Sequence, residues 1–375
     1  MRIGIDAHLV TSRPTGVGKT ITRTIEAMAD AAPGDEFVIY ANRRFPATLG
    51  NRPNCRVVRT PLISKSATLR ILHERFVVPR RVRRQRIDVF YAPGCVFPGE
   101  LDVPVVLGTF DLNVLKHPGR VRFETAVYHR HALPLSARRA RLIAVPTRAV
   151  ARDVERVLKA PRHKIRVVPC GVDERFRAST PDAAGVAARH GVAGPYVLFV
   201  GNIEPNKNLV RLVEAFFAAK VHRKLPHRLV IAGKRGHRAG EVDKAVRMLL
   251  GGDDVTFPGY VPDDDLPALY AGADAFAYLS YAEGFGVAPL EAMLSGTPTV
   301  TSKDPALVEV TGDGALHCPA DDLAAIREAL EKVLVDREFA AELARNGRKA
   351  AARYSWAETG RRMLVVLREA AESRA

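Results

Sequence analysis

The chain has 375 residues, of which 47% are hydrophobic and 26% charged; that balance is ordinary for a soluble globular protein, and the length exceeds what one core uses, so two domains are expected. No apolar run is long enough to span a membrane and no signal-peptide pattern opens the sequence, while Cys55, Cys95, Cys170 and Cys318 are scattered without a C-x-x-C pair, which argues against a zinc site and for reduced thiols in a cytoplasmic setting. The net charge of +16 is uneven: residues 1–180 hold 33 Lys+Arg against 15 Asp+Glu, a net of +18, and the remainder holds 24 against 26, a net of −2.

In chain order, MRIGIDAHLV is an apolar, β-branched run and reads as a buried strand. PTGVGKT follows, ending as a nucleotide phosphate loop ends. The full pattern, G-x-x-x-x-G-K-[ST], needs glycine where Arg13 stands, and without it the backbone cannot curl around a β-phosphate. ITRTIEAMADAA then sets Ile21, Ile25, Met28 and Ala29 at helical spacing. Gly16 and Gly18 thus sit in a strand–loop–helix unit, where backbone amides and a helix N-terminus favour an anion. The alternative is a tight turn that only lets helix and strand pack.

EFVIYAN, CRVVRT, VFYAP, VPVVLGTFD, RLIAVPT and KIRVVPC are further strand-like runs separated by helical or loop segments, the pattern of a parallel sheet covered by helices. Between CRVVRT and VFYAP lie Arg70, Arg75, Arg80, Arg81, Arg83, Arg84 and Arg86, relieved only by Glu74 and interleaved with Leu69, Ile71, Leu72, Phe76, Val77, Val78 and Val82. A basic amphipathic helix of this kind suits an anionic membrane surface or an anionic acceptor. The alternatives are a solvated basic face on a core helix, or nucleic acid, for which no recognised motif is present.

Residues 171–185, GVDERFRASTPDAAG, turn polar and read as a linker. The alternation then restarts with YVLFVGN (strand), NLVRLVEAFFAAKV (helix) and HRLVIAGK (strand). It continues through DVTFPGYV, DDLPALYAGA (helix), AFAYLS (strand), PLEAMLSG (helix) and TPTVTSK (strand). Residues 322–335, 337–352 and the segment WAETGRRMLVVLREAAES read as helices. Two successive doubly wound α/β units of parallel sheet suggest two Rossmann-like domains, with ligands beyond the carboxyl ends of the strands. The expected division is 1–178, 179–352 and a terminal helix, 353–375.

The residue types that carry chemistry gather in the second half. Glu283 follows a strand, Gly284-Phe285-Gly286 is a glycine-rich turn, and Pro289 suits the first turn of the next helix, inside which Glu291 lies eight positions after Glu283. A helix N-terminus suits a diphosphate and carboxylates suit sugar hydroxyls. Lys207 in VGNIEPNKNL and the pair Lys234 and Arg235 in VIAGKRG follow two other strands of the same sheet. Cations and amides at one sheet end would bind a diphosphate and stabilise charge developing on it. Asp263-Asp264-Asp265 precedes a helix and reads as capping rather than as a metal-binding D-x-D. Glu309 reads equally well as structural or as bordering the site.

TGVGKT, VVPCGVD, VGNIEPNKNL, IAGKRG, FPGYVPDDDLPALYAGADAF, EGFGVAPLEAM and SGTPTV occur in this order, before a terminal helix containing Trp356. In that order the chain resembles, nearly end to end, the retaining glycosyltransferases of the GT-B fold in the group-one (family four) class. The resemblance implies two Rossmann-like domains facing a cleft, the final helix crossing back to the first, and transfer of a sugar from a nucleotide donor with retained configuration. It implies that Glu283 contacts the donor sugar near the reacting carbon and Glu291 holds the ribose. Lys207, with Lys234 or Arg235, would neutralise the diphosphate, and Phe285, Gly286 and Val287 would offer it backbone amides. Asn202 is a further donor contact. Gly16 and Gly18 would approach from the first domain, so Lys19 need not act as a phosphate-loop lysine, and Asp111 would contact the acceptor.

The chain departs from the family pattern at Phe110, where His is usual before Asp111, at Cys170, where Asn is frequent, and at Asn206, where Arg often precedes the phosphate lysine. Overall likeness to bacterial polysaccharide mannosyltransferases points to GDP-mannose as donor, with a UDP-sugar next. The acceptor would be a lipid-linked glycan or polysaccharide, as in lipopolysaccharide biosynthesis. No metal or other cofactor and no nucleic acid are expected, and the protein would work in the cytoplasm, peripheral on the inner face of the cytoplasmic membrane. The alternatives are a GT-B-fold nucleotide-sugar epimerase, which needs no acceptor, and a non-catalytic basic binding protein, which needs neither Glu283 nor Lys207.

Overall fold

The computed structural model describes residues 1–11, 16–46, 49, 52–60, 67–97, 99–121, 123–177, 182–249 and 252–372. Arg13, Pro14 and Thr15 of the first loop therefore lie outside the described residues, as do the side chains of Leu69, Arg70, Ile71 and Glu74. The chain divides into two compact units, Met1–Gly171 with Tyr354–Ala375, and Val172–Arg353.

The first unit holds strands β1 (Arg2–Asp6), β2 (Glu36–Ala41), β3 (Cys55–Arg59), β4 (Val89–Ala92), β5 (Val105–Gly108), β6 (Leu142–Val145) and β7 (Ile165–Val167). They form one sheet in the order β3-β2-β1-β4-β5-β6-β7, all parallel. The six strand-like runs and the opening segment account for every strand of this sheet. Side-chain alternation splits them between two cores. Ile3, Ile5, Phe37 and Ile39 face the core shared with Ile21, Ile25, Met28, Leu364 and Leu367, while Val38, Tyr40, Phe90 and Ile143 face the core shared with Val78, Val82 and Leu133. A sheet buried on both faces reads as continuous apolar runs, which is why these strands are visible in the sequence.

The helix Val17–Ala31 follows β1, and the terminal helix Trp356–Glu372 packs on it. A Cβ at Gly360 would come 2.5 Å from the Ala27 carbonyl carbon, so only glycine allows the helices this close. Gly16 adopts φ +51° at the N-cap, whereas Gly18 lies inside the helix, its carbonyl accepting from Thr22 Oγ1. Of the two loop glycines, one is therefore a turn residue and the other a first-turn helix residue.

The second unit holds β8 (Tyr196–Val200), β9 (Arg228–Ala232), β10 (Val255–Gly259), β11 (Ala275–Tyr278), β12 (Thr299–Ser302) and β13 (Leu316–Cys318), parallel in the order β10-β9-β8-β11-β12-β13. β13 and the helix Pro305–Thr311 add to the elements expected from sequence. The first unit ends at Gly171 rather than at 178, a position outside the described residues. Val172 is buried, and Phe176 packs its fully buried ring against Tyr270 at 5.6 Å, which draws this polar-looking segment into the second unit. Within it, Ala183–Arg189 is a short helix capped by Asp182.

His73 sits on the inner face of the helix Ala67–Arg84, edge-on to His8 at 5.2 Å. Burial, then His8 and Arg81, push its pKa down from 6.5 to about 4, against an opposing pull from Asp6. A histidine with a lowered folded-state pKa binds fewer protons folded than unfolded, so its contribution to stability is present above pH 6.5 and is lost as pH falls toward 4. Between pH 7 and 5 the His73 contribution should fall by about 2 kcal/mol. Denaturant unfolding of His73→Gln at the two pH values should show a correspondingly smaller pH dependence than the wild type.

Candidate functional site

In each sheet the strand order reverses beside the first strand, between β1 and β4 and between β8 and β11. Loops leaving neighbouring strands on opposite sides of such a switch point splay apart and open a crevice at the carboxyl ends. In the second unit those loops are Gly201–Asn208 and Leu279–Gly286. Asn206 stitches them together: its Nδ2 donates to the Ala282 carbonyl at 2.6 Å, and its own carbonyl accepts from the Tyr281 amide at 2.9 Å. The residue in place of the usual arginine is thus a loop-to-loop tie.

The charged centre forms across this tie. Lys207 Nζ donates to Glu283 Oε1 at 2.5 Å and to the Tyr278 hydroxyl at 2.7 Å, and lies 4.9 Å from the centre of the Tyr278 ring. Both charged side chains are largely buried, 16% and 13% exposed. Burial alone would lower the Lys207 pKa, but the Glu283 carboxylate and the Tyr278 hydroxyl outweigh it and hold it above the ordinary lysine range. Burial, reinforced by Glu283, pushes Tyr278 up to about 12 against the pull of Lys207. Lys207 is therefore an ammonium and Tyr278 a neutral phenol. Tyr278 is held in turn by stacking between Phe199 and Phe276, at 5.7 and 6.0 Å.

Gly286 precedes the helix Val287–Ser295 with φ +90°, which favours glycine. Phe285 is buried, and the first-turn amides of this helix follow directly. Glu291, one turn in, is 6% exposed and accepts from the Tyr270 hydroxyl at 3.0 Å. Glu283 and Glu291 thus lie in different settings, one against a cation and one against a phenol.

The loop after β9 lies against the loop after β8. The Ile203 amide donates to the Lys234 carbonyl at 2.9 Å, and a Cβ at Gly233 would come 1.9 Å from the Gly201 oxygen. The Lys234 ammonium stands 5.1 Å from the Tyr260 ring centre. Arg235 is ion-paired with Asp243 and packed over Phe257. Asn202 Nδ2 is 3.5 Å from Glu204 Oε1.

The Asp263–Asp265 run does not cap as expected. Asp265 occupies the N-cap of the helix Leu266–Ala271 without a side-chain cap bond and pairs instead with His190 at 2.8 Å and Arg189 at 3.6 Å; Asp263 and Asp264 pair with Arg175. Their partners Arg175, Arg189 and His190 lie well upstream in the chain. Glu309 is exposed on the helix Pro305–Thr311. Among the described residues no group of three or more His, Cys, Asp or Glu is placed to hold a metal ion.

Gly16, Gly18 and Asp111 belong to the first unit. Asp111 Oδ1 accepts from the Asn113 amide at 2.8 Å, fixing the turn after β5. The Cys95 thiol faces the Phe110 and Asp111 amides; burial, with Asp111, raises it to about 12 despite them. Phe110 packs on the first core and lines a cavity of about 20 Å³ with Tyr91, Cys170 and Met363.

Two family models match the chain. One, described as glycosyl transferases group 1, covers residues 188–350, and the other, glycosyltransferase family 4, covers 14–176. The chain belongs to this glycosyltransferase class. The O-antigen chain mannosyltransferase B of Escherichia coli is 26% identical over 362 residues, 91% of this chain and 93% of that one. Among solved structures, a sucrose-phosphate synthase from Thermosynechococcus elongatus covers 98% of each chain at 20% identity with a TM-score of 0.80. The HepE protein of Anabaena, in complex with UDP and glucose, is 18% identical, covers 98% of this chain and all of its own, and has a TM-score of 0.76. The fold is GT-B, and the glycosyltransferase is favoured over an epimerase or a non-catalytic binding protein.

Removing one partner of a buried pair leaves an uncompensated charge, which costs about 3–5 kcal/mol. Lys207→Met or Glu283→Gln alone should lower unfolding stability, and the double variant should recover about 2 kcal/mol of the summed loss. Additive losses in a denaturant-based double-mutant cycle would show that the pair is not coupled in solution.

Proposed function

We propose that this glycosyltransferase is a retaining hexosyltransferase that moves a mannosyl group from GDP-mannose to a lipid-linked glycan or polysaccharide acceptor. The observation that carries the reading is the Lys207–Glu283–Tyr278 cluster at the switch point of the second sheet. It supplies a permanent cation and a carboxylate side by side beyond the strand ends, beside a helix N-terminus. Glu283 contacts the donor sugar near C1. Lys207, assisted by Lys234 or Arg235 and the Phe285, Gly286 and Val287 amides, takes the charge that develops on the departing diphosphate. Asn202 borders the donor, and Glu291 holds the ribose. The bond from C1 to the diphosphate oxygen breaks, the bond from C1 to the acceptor oxygen forms, and the acceptor proton passes to the departing phosphate on the same face. Gly16, Gly18 and Asp111 act from the first unit, and no bound metal is required.

The choice of mannose and of a surface polysaccharide is supported by what the E. coli relative is named for. HepE carries UDP, which keeps a UDP-sugar as the second candidate. Calorimetric titration with GDP, UDP, ADP, ATP and NAD, with and without magnesium, distinguishes them. Metal-independent preference for GDP is the expected outcome; preference for UDP would change the donor, and preference for ATP with magnesium would overturn the reading. Glu283→Gln and Lys207→Ala should each lower kcat by about 10²–10³-fold. Product carrying the inverted anomeric configuration would refute retention.

The protein is further proposed to work peripherally on the cytoplasmic face of a membrane. No helix among the described residues is long and apolar enough to cross one. Support comes from the helix Ala67–Arg84, whose outward side exposes Leu72 and Phe76, 46% and 50%, alongside Arg75, Arg80, Arg83 and Arg84, while Val78 and Val82 face the core. Arg83 is paired with Asp102 and Arg75 lies over Phe76. Exposed apolar side chains among arginines fit an anionic headgroup layer. Co-sedimentation with phosphatidylglycerol vesicles should fall with added salt and drop further in Phe76→Asp/Arg80→Glu. Equal binding to neutral vesicles would count against it.

A further inference from the structure

The helix Val287–Ser295 carries Glu291 among buried apolar neighbours, Leu290, Ala292, Met293 and Leu294. Its phenol partner, Tyr270, belongs to the helix Leu266–Ala271 and is fully buried. The Tyr270 ring meets Phe176 at 5.6 Å and Phe276 at 5.4 Å, both edge-on. Its carbonyl accepts from Thr297 Oγ1 at 2.6 Å, and the neighbouring Leu269 carbonyl accepts from the Tyr196 hydroxyl at 2.7 Å. Held in this way, the Tyr270 hydroxyl donates to Glu291 Oε2 at 3.0 Å. Burial, then the Glu291 charge, hold the phenol well above the ordinary tyrosine range, so it stays an O–H donor.

Packing does not call for this pair. Phenylalanine would fill the same space beside Phe176 and Phe276, and a buried hydroxyl or carboxylate costs stability unless it is bonded. Replacing a buried polar pair by apolar groups of like shape is often neutral or stabilising. A neutral phenol, however, orients a carboxylate without cancelling its charge, and it takes one of the roughly four acceptor positions that a carboxylate offers. We propose that Tyr270 is a positioning residue for the nucleotide: its hydroxyl fixes the Glu291 side chain so that the carboxylate meets the 2′- and 3′-hydroxyls of the donor ribose. This rests on the assignment of Glu291 to the ribose.

Tyr270→Phe keeps the ring and removes the donor. The test is the ratio of two dissociation constants, for GDP and for its 2′,3′-dideoxy analogue, or for the UDP pair if UDP is the nucleotide bound. A ratio taken on one preparation does not depend on its folded fraction. In the wild type GDP should bind at least about tenfold more tightly than the analogue. In Tyr270→Phe the ratio should fall below about threefold, through weaker GDP binding with the analogue nearly unaffected. A merely structural hydroxyl would weaken both nucleotides together and leave the ratio at its wild-type value, which would overturn the proposal. Thr297→Val, which releases the Tyr270 carbonyl, is measured in parallel and should lower the ratio at least about twofold. If Tyr270→Phe does not fold, an unchanged ratio in Thr297→Val overturns the proposal. Glu291→Gln tests the underlying assignment. If the wild type shows no preference, or Glu291→Gln keeps the wild-type ratio, the assignment of Glu291 to the ribose fails. If Glu291→Gln loses the ratio while Tyr270→Phe keeps it, only the positioning role fails.

Discussion

A lysine and a glutamate buried at 2.5 Å are tolerated because each replaces the water the other has lost, with a phenol completing the shell. Everything around them serves to keep that arrangement. The strand order brings the β8 and β11 loops side by side, Asn206 ties those loops, and the aromatic stack of Phe199, Tyr278 and Phe276 fixes the phenol. Low local dielectric strengthens the pair and also penalises any misalignment, so the scaffold has to be rigid. The parallel sheet supplies that rigidity, with β11 and β12 buried along their whole length.

The strands were legible because buried parallel strands leave unbroken apolar runs, and Glu283, Glu291, Lys207 and the glycine turn were legible because they sit at fixed offsets from those runs. β13 was not, since Leu316–Cys318 is three residues long with His317 at its centre. The helix Pro305–Thr311 is only seven residues and opens directly from the strand. Tyr278 reads as one more aromatic in a strand. Its significance lies in a contact to Lys207, far away in the chain, which periodicity does not carry. The triple aspartate shows the converse. A local capping rule pointed one way, and arginines and a histidine folded in from 175–190 pulled the carboxylates another.

Phe110 and Asn206 depart from the family pattern in different local settings. Phe110 is half-buried, packed on the first core beside Tyr91, Cys170, Met363 and the threonines Thr20, Thr24 and Thr359. Asn206 gives up an arginine's charge and gains one side-chain hydrogen bond, from its Nδ2 to the Ala282 carbonyl, between the loops that carry Lys207 and Glu283. Neither removes a group from the charged cluster. The likeness to other GT-B proteins at 20% identity or below shows the fold persisting across wide sequence divergence.

On the proposed reading, the Lys207–Glu283 pair exchanges its partners for the two halves of the donor. Lys207 cannot serve a diphosphate at full strength while it neutralises Glu283. A dianion offers it a stronger partner, and the sugar hydroxyls offer Glu283 donors in return, so both halves of the donor are needed to open the pair without stranding a buried charge. A nucleotide alone satisfies the lysine and leaves the carboxylate uncovered; a free sugar does the reverse. The same coupling would therefore select for the intact nucleotide sugar over either fragment, and Tyr278, bonded to Lys207, keeps a neutral partner in place while the charges trade.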